Sequence, residues 1–352
     1  MDTVTASPVR YGPPAHTART AHTAFTATGG GPLGYAHPMT PDRLTIAPEV
    51  ARALRDGAPV VALESTLISH GLPYPQNIEV ATASEAAVRR SGAVPATVAI
   101  HDGRFLVGLE SEALEALATA PAGTVRKAAR PSLAIALAEG GWAATTVSAT
   151  MIAAHAAGIQ TFATGGIGGI HRGALGHPGT DRAATFDISS DLEELGRTPV
   201  AVVCAGPKAI LDVPATLEYL ETRGVPVVAV GQEDVPGFYA RSSGIRAPAS
   251  VPDIAAAARL VAIHFGSGIG GGVLLCIPLP EDVAIPRDEA MAVVEQAVRE
   301  SDEAGIEGPA VTPWLLQRIA VITGGRFVRA NTALIINNAQ VAGELAVSIA
   351  TG

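Results

Sequence analysis

From Pro48 to the C-terminus, short unbroken apolar runs alternate with stretches in which apolar residues recur every three or four positions. Unbroken runs are the pattern of strands covered on both faces, and the wider spacing is that of helices with one buried face. The runs predict a strand ending at Glu64 and others over 94–100, 104–109, 144–147, 161–164, 200–204, 225–230 and 272–276. The spaced stretches predict helices over 49–55, 77–90, 111–118, 132–138, 151–157, 191–195, 215–222, 253–265, 287–304, 313–323 and 332–350. His101-Asp102-Gly103 predicts a hairpin turn, because Asp-Gly readily takes positive φ. Strands alternating with helices predict an α/β fold: a mixed, largely parallel sheet flanked by helices on both faces. No repeat at a fixed period is present.

Length and composition place the boundaries. At about 150 residues per domain, 352 residues suggest two domains. No linker interrupts the pattern, however, so a single catalytic domain over 45–352 is expected. Residues 1–44 are rich in Thr, Ala, Pro, Gly and His and lack the apolar core of a signal peptide, which predicts a disordered extension. With 48% hydrophobic and 16% charged residues the chain can bury a large core. The formal charge of −9, from 24 basic and 33 acidic side chains, with no basic stripe along the sequence, argues against a nucleic-acid partner. A small phosphorylated ligand needs only a few local cations and stays open. Two cysteines, Cys204 and Cys276, both in apolar runs, argue against a disulfide framework and for a reducing cytoplasm. No apolar run approaches the roughly 20 residues of a membrane span, so no membrane association is expected.

Polar residues cluster where strands end, and open α/β sheets bind ligands beyond the carboxyl ends of their strands. Glu64, Ser65, Thr66, Ser69 and His70 follow the first buried strand. A carboxyl group at such a strand end can have a raised pKa and act as general acid; alone, Glu64 reads more plainly as a solvated carboxylate accepting a loop N–H. Gly165, Gly166, Gly168 and Gly169 either let backbone N–H groups approach a phosphate or simply make a tight turn. The loop fits neither a dinucleotide fingerprint, which needs glycine where His171 stands, nor a P-loop. His171 and Arg172 add an acid/base group and a cation. In 187–191, Ser189 and Ser190 can cap a helix, while Asp187 and Asp191 can serve a hard metal or phosphate. Lys208 follows Gly206-Pro207, which predicts the first turn of a helix. The helix dipole and partial burial would then allow a neutral, nucleophilic amine, with a solvated ammonium the equal alternative. Lys127 and Arg130 add cations if 125–128 runs along the cleft. Asn331, Asn337 and Asn338 stand in an apolar segment, where an amide needs a partner: ligand atoms or, for Asn331, a helix N-cap.

These residues resemble the pseudouridine-5′-phosphate glycosidase family over 46–350. The shared strings are 60–71 (VVALESTLISHG), 73–77 (PYPQN), 92–100 (GAVPATVAI), 164–173 (TGGIGGIHRG), 186–192 (FDISSDL), 202–212 (VVCAGPKAILD) and 215–220 (ATLEYL). The resemblance implies an α/β enzyme of the carbon–oxygen lyase class. It would reversibly cleave the C–C glycosidic bond of pseudouridine 5′-phosphate to uracil and ribose 5-phosphate, with one Mn²⁺ per subunit, as a homotrimer. By motif, Lys208 resembles the covalent nucleophile that forms a Schiff base with the ring-opened ribose, Glu64 the proton donor and Asp187 the metal position. Ser189, Ser190, Asp191, Lys127 and the backbone at Val147 resemble substrate contacts, and Thr146, Thr164, His171 and Asn331 match further pocket positions.

Three features depart from the family. Ile277-Pro278-Leu279-Pro280 stands where the family has Asn-Pro-x-Pro, 175–184 reads as an insertion, and the N-terminal extension lies outside the match. Two other functions fit the same residues. A Schiff-base sugar-phosphate aldolase would use Lys208 without releasing a base, and a non-catalytic sugar-phosphate-binding protein would not need Lys208.

Overall fold

The computed structural model describes residues 41–176, 183–306 and 311–352, which belong to one compact unit. The extension up to residue 40, and 177–182 of the expected insertion, lie outside the described residues. The strands are β1 (Leu44–Ile46), β2 (Val60–Leu63), β3 (Val94–His101), β4 (Arg104–Val107), β5 (Arg126–Ala128), β6 (Ala143–Thr145), β7 (Thr161–Ala163), β8 (Ile170–His171), β9 (Ala201–Cys204), β10 (Leu211–Asp212), β11 (Val227–Val230), β12 (Ala249–Val251) and β13 (Val273–Cys276). The helices are α1 (Pro48–Arg55), α2 (Gln76–Arg90), α3 (Ser111–Ala118), α4 (Leu133–Glu139), α5 (Val147–Ala157), α6 (Ser190–Leu195), α7 (Val213–Thr222), α8 (Ile254–Gly266), α9 (Arg287–Glu303), α10 (Val311–Ile322) and α11 (Arg326–Thr351).

The main sheet runs β1-β4-β3-β2-β7-β9-β13-β11-β12. Its segment from β3 to β12 is parallel throughout, and β4 and β6 pair antiparallel with β3. The Asp-Gly turn between β3 and β4 forms as expected, with φ of 49° at Asp102 and 70° at Gly103. Side chains alternate between the two faces of each strand. Val61, Leu63, Ala163, Val203 and Leu275 pack under α2, α8 and α11 through Val88, Val261, Ala339 and Leu345. Ala62, Phe162, Val202 and Leu274 pack on the other face with Met151 of α5, Leu192 of α6 and Leu220 of α7. Burying each of the larger apolar side chains among these contributes about 1.5–3 kcal/mol.

Several boundaries differ from the sequence reading. Ordered chain begins before residue 45: Leu44–Ile46 is an edge strand hydrogen-bonded parallel to β4, which holds residues whose composition alone predicts disorder. Val147, expected to end a strand, opens α5 instead, because β6 stops at Thr145 and Thr146 turns the chain. Helix α11 starts at Arg326, not 332; Gly325 at φ 79° breaks the preceding helix, and Phe327 and Ala330 are buried three apart. Asn331 is therefore interior to a helix rather than its cap. By length and composition α11 could cross a membrane, but Leu334, Ala339, Ala342 and Leu345 bury its apolar stripe against the protein.

Candidate active site

Parallel strands β2, β7 and β9 are neighbours, so Glu64, Thr164 and the Ala205–Lys208 turn leave the sheet at one edge. The antiparallel β6 delivers Thr145 and Thr146 to the same place. Ser65 ties the two together: its hydroxyl accepts from the Thr145 N–H at 2.9 Å, and its own N–H donates to the Thr145 carbonyl at 3.3 Å. The Thr66 hydroxyl donates to that carbonyl at 2.8 Å. The Thr164 hydroxyl donates to Glu64 Oε1.

Lys208 is not in a helix, contrary to the sequence reading. Pro207 forms a bridge with Ile167 of the glycine-rich loop, the Lys208 N–H donates to the Ile167 carbonyl at 3.1 Å, and the chain reaches α7 only after β10. A Pro at a helix start is favourable, but here the competing backbone partner wins. No helix dipole therefore acts on this amine from its own segment. Gly206 makes the turn at φ 83°, a conformation side chains rarely adopt.

Part of the glycine-rich loop's backbone is already committed within the protein. The N–H of Gly168 donates to Asp191 Oδ2 at 2.9 Å and that of Ile170 to Thr216 Oγ1 at 3.0 Å. Its glycines serve close packing: a Cβ on Gly168 would sit 2.6 Å from Ser189 Cβ and 2.9 Å from Asp191 Oδ2. Ser189 caps α6, accepting from the Asp191 N–H at 3.2 Å, as its residue type predicts. The other Asp191 oxygen accepts from the Ser148 N–H at 3.0 Å, in the first turn of α5. This buried carboxylate joins two walls of the site.

Those walls enclose a cavity of about 800 Å³. Glu64, Lys127, Thr146, Val147, His171, Asp187, Ser189, Ser190, Asp191 and Lys208 all line it. Glu64 is only partly exposed at its floor. Burial raises its pKa, with the Lys208 charge and the Thr164 hydrogen bond opposing. Lys127, although open to the cavity, is pushed down, first by desolvation and then by Lys208. Desolvation also lowers His171, against the pull of Asp187, whose Oδ2 lies 3.9 Å from His171 Nδ1. Among the described residues no three His, Cys, Asp or Glu side chains converge as a metal cage. Asp187 nevertheless fits one mode of binding. Its carboxylate is 44% exposed, and a hard divalent ion that keeps several waters is held by one or two carboxylates.

The match to known proteins spans the whole described site. The family model for indigoidine synthase A like protein matches residues 49–348. A pseudouridine-5′-phosphate glycosidase of Paracoccus denitrificans (strain Pd 1222) is 54% identical over 311 residues, 88% of this chain and 100% of that protein. The chain belongs to the pseudouridine-5′-phosphate glycosidase family. Another member, from Solibacter usitatus (strain Ellin6076), is 52% identical over 86% of this chain and 98% of its own. Among solved structures, the prealnumycin C-glycosynthase AlnA in complex with ribulose 5-phosphate has a TM-score of 0.79 at 38% identity, covering 88% of this chain and 97% of that one. An indigoidine synthase A-like protein from Thermotoga maritima has a TM-score of 0.75 at 33% identity, covering 87% and 96%.

Within this family fold, some candidates stand apart from the cavity. Thr164 touches it only through Glu64. Asn331 lies in a separate cleft with His70, Tyr239 and Phe327. Asn338 faces backbone rather than ligand, donating to the carbonyls of Thr164 at 2.9 Å and Gly165 at 3.3 Å. Arg130 pairs with buried Glu194. Ile277, the departure from the family's Asn, is buried in the core and lines no part of the cavity. The sequence reading missed Trp142, which lines the cavity and stacks on His101 with ring centroids 4.1 Å apart. Its signal was its rarity, one of two tryptophans, just before β6.

Proposed function

We propose that this chain cleaves the C–C glycosidic bond of pseudouridine 5′-phosphate, giving uracil and ribose 5-phosphate, reversibly. The observation that carries the reading is the meeting of Glu64 and Lys208 in one cavity, at the ends of β2 and β9, two parallel strands with β7 between them. A C-nucleoside has no heteroatom leaving group on its base, and the two-carboxylate scheme of ordinary glycosidases gives a lysine no role. The Lys208 amine forms a bond to C1′ as the C1′–O4′ bond breaks and O4′ takes a proton. The nitrogen lone pair then forms the C1′=N bond while the C1′–C5 pair leaves to the uracil ring. Glu64 protonates uracil C5. Water hydrolyses the imine, freeing Lys208 and ribose 5-phosphate.

Lys127 and the N-terminus of α5 at Val147 supply positive potential for the phosphate. Ser189, Ser190, Thr146 and His171 supply hydrogen-bonding groups to the sugar, and Asp191 holds the walls in place. Mn²⁺ at Asp187 would supply charge neutralisation at the phosphate end. A homotrimer in a reducing cytoplasm completes the proposal; the free, buried Cys204 and Cys276 suit that compartment.

The test is direct. The purified full-length protein is incubated with pseudouridine 5′-phosphate and Mn²⁺, then trapped with borohydride. Uracil release and a ribose-phosphate adduct on Lys208 by mass spectrometry are expected, and Lys208→Ala loses both. Absence of uracil together with absence of adduct overturns the reading. An adduct from a sugar phosphate without release of a base would point to the aldolase reaction.

A further inference from the structure

Glu64 faces two spaces. One is the cavity. The other is a void of about 10 Å³ behind it, also lined by Leu63, Leu67, Ser84, Thr97 and Thr164. Roughly 10–15 Å³ of such volume holds one water, provided polar partners are present. Three hydroxyls supply them. Thr164 already donates to Glu64, and Ser84 donates to the Val80 carbonyl at 2.8 Å, leaving its lone pairs free for a water hydrogen. Thr97, the register partner of Leu63 on β3, donates to Glu85 Oε1 at 2.5 Å. Glu85, on α2, is only partly buried and feels the charges of Arg89 and Glu49, an exposed ion pair.

We propose that Glu85 returns a proton to Glu64 through the Thr97 hydroxyl and one water in this void, on the side away from the ligand. This deepens the proposed reaction and rests on it. Each cleavage leaves Glu64 as a carboxylate whose cavity side faces the departing uracil and the Lys208-bound sugar, while its other side faces the void. The relay balances as follows. The Glu85 carboxyl donates its proton to Thr97 Oγ1. Thr97, its hydroxyl turned toward the void, passes its own hydrogen to the water. The water gives a hydrogen to a Glu64 oxygen. Glu85 is left as a carboxylate and recovers a proton from solvent beside Arg89. Burial raises the Glu85 pKa, against the Thr97 hydrogen bond and the Arg89 charge, so the acid form is accessible.

Steady-state cleavage of pseudouridine 5′-phosphate by the full-length protein tests this. Glu85→Gln and Thr97→Val are each expected to lower kcat by about 10²-fold, the low end for a positioned proton transfer, with KM within about twofold of the wild type. The double variant should lose no more than either single one. The solvent deuterium isotope effect on kcat should rise in both single variants, since proton return becomes the slow step, and Thr97→Ser, which keeps the hydroxyl, should keep the wild-type rate and isotope effect. Unchanged kcat in both variants overturns the relay. So does a loss of kcat with an unchanged solvent isotope effect in variants with wild-type melting temperatures, which would mark a packing role. A wild-type protein that releases no uracil overturns the underlying reaction instead, and the relay with it.

Discussion

At the residue scale, Glu64 is placed at odds with its own charge. Its carboxyl is raised by burial, so the acid form persists to higher pH than in a free glutamate. Two consequences follow with definite sign. Cleavage that uses the acid form falls as pH rises through the raised value. The stability this group contributes is present below its unfolded pKa and lost through the same upper window. Glu64→Gln is therefore expected to lower uracil release by about 10²–10⁴-fold. It should also raise the melting temperature relative to wild type, increasingly so as pH climbs above the ordinary carboxyl range. A melting-temperature difference that is flat with pH would contradict the burial argument. At this scale the Ser189 cap was legible from residue type and position alone, and so was the gathering of Glu64 and Asp187 at strand ends, which the cavity brings together. The placement of Asn331 and Asn338 was not legible, because an amide in an apolar stripe says that it has a partner and not which one.

At the element scale, the long strands and helices were readable because burial imposes its period on them; β2, β9 and β13 are unbroken apolar runs and nothing else fits. The two-residue strands β8 and β10 were not, since two residues show no period. Nor was the course of Lys208, where local preference for a helix after Gly206-Pro207 lost to a bridge with a loop about forty residues earlier in sequence. That bridge depends on how closely the glycine-rich loop packs. Gly168→Ala, with its Cβ forced to 2.6 Å from Ser189 Cβ, is expected to cost about 1–3 kcal/mol and to reduce uracil release. Thermal melting and the uracil assay check this, and a fully active, fully stable variant would show that the α6 cap gives way freely.

At the scale of the whole molecule, the family match begins at residue 49, and the first strand at Leu44. A protein lacking residues 1–38 is expected to keep its melting temperature and its rate of uracil release. Sedimentation should report the same oligomeric state, the proposed trimer, with and without the segment; a smaller species on truncation would give the segment an assembly role. Asp191, described above as accepting from both Gly168 and Ser148, has a last consequence for how a guest is received. With each oxygen committed to a different wall, the chamber is a casting set before anything is poured into it. Entry of a nucleotide should then leave the fold's dimensions almost untouched, and discrimination among guests should arise from exclusion at a fixed outline.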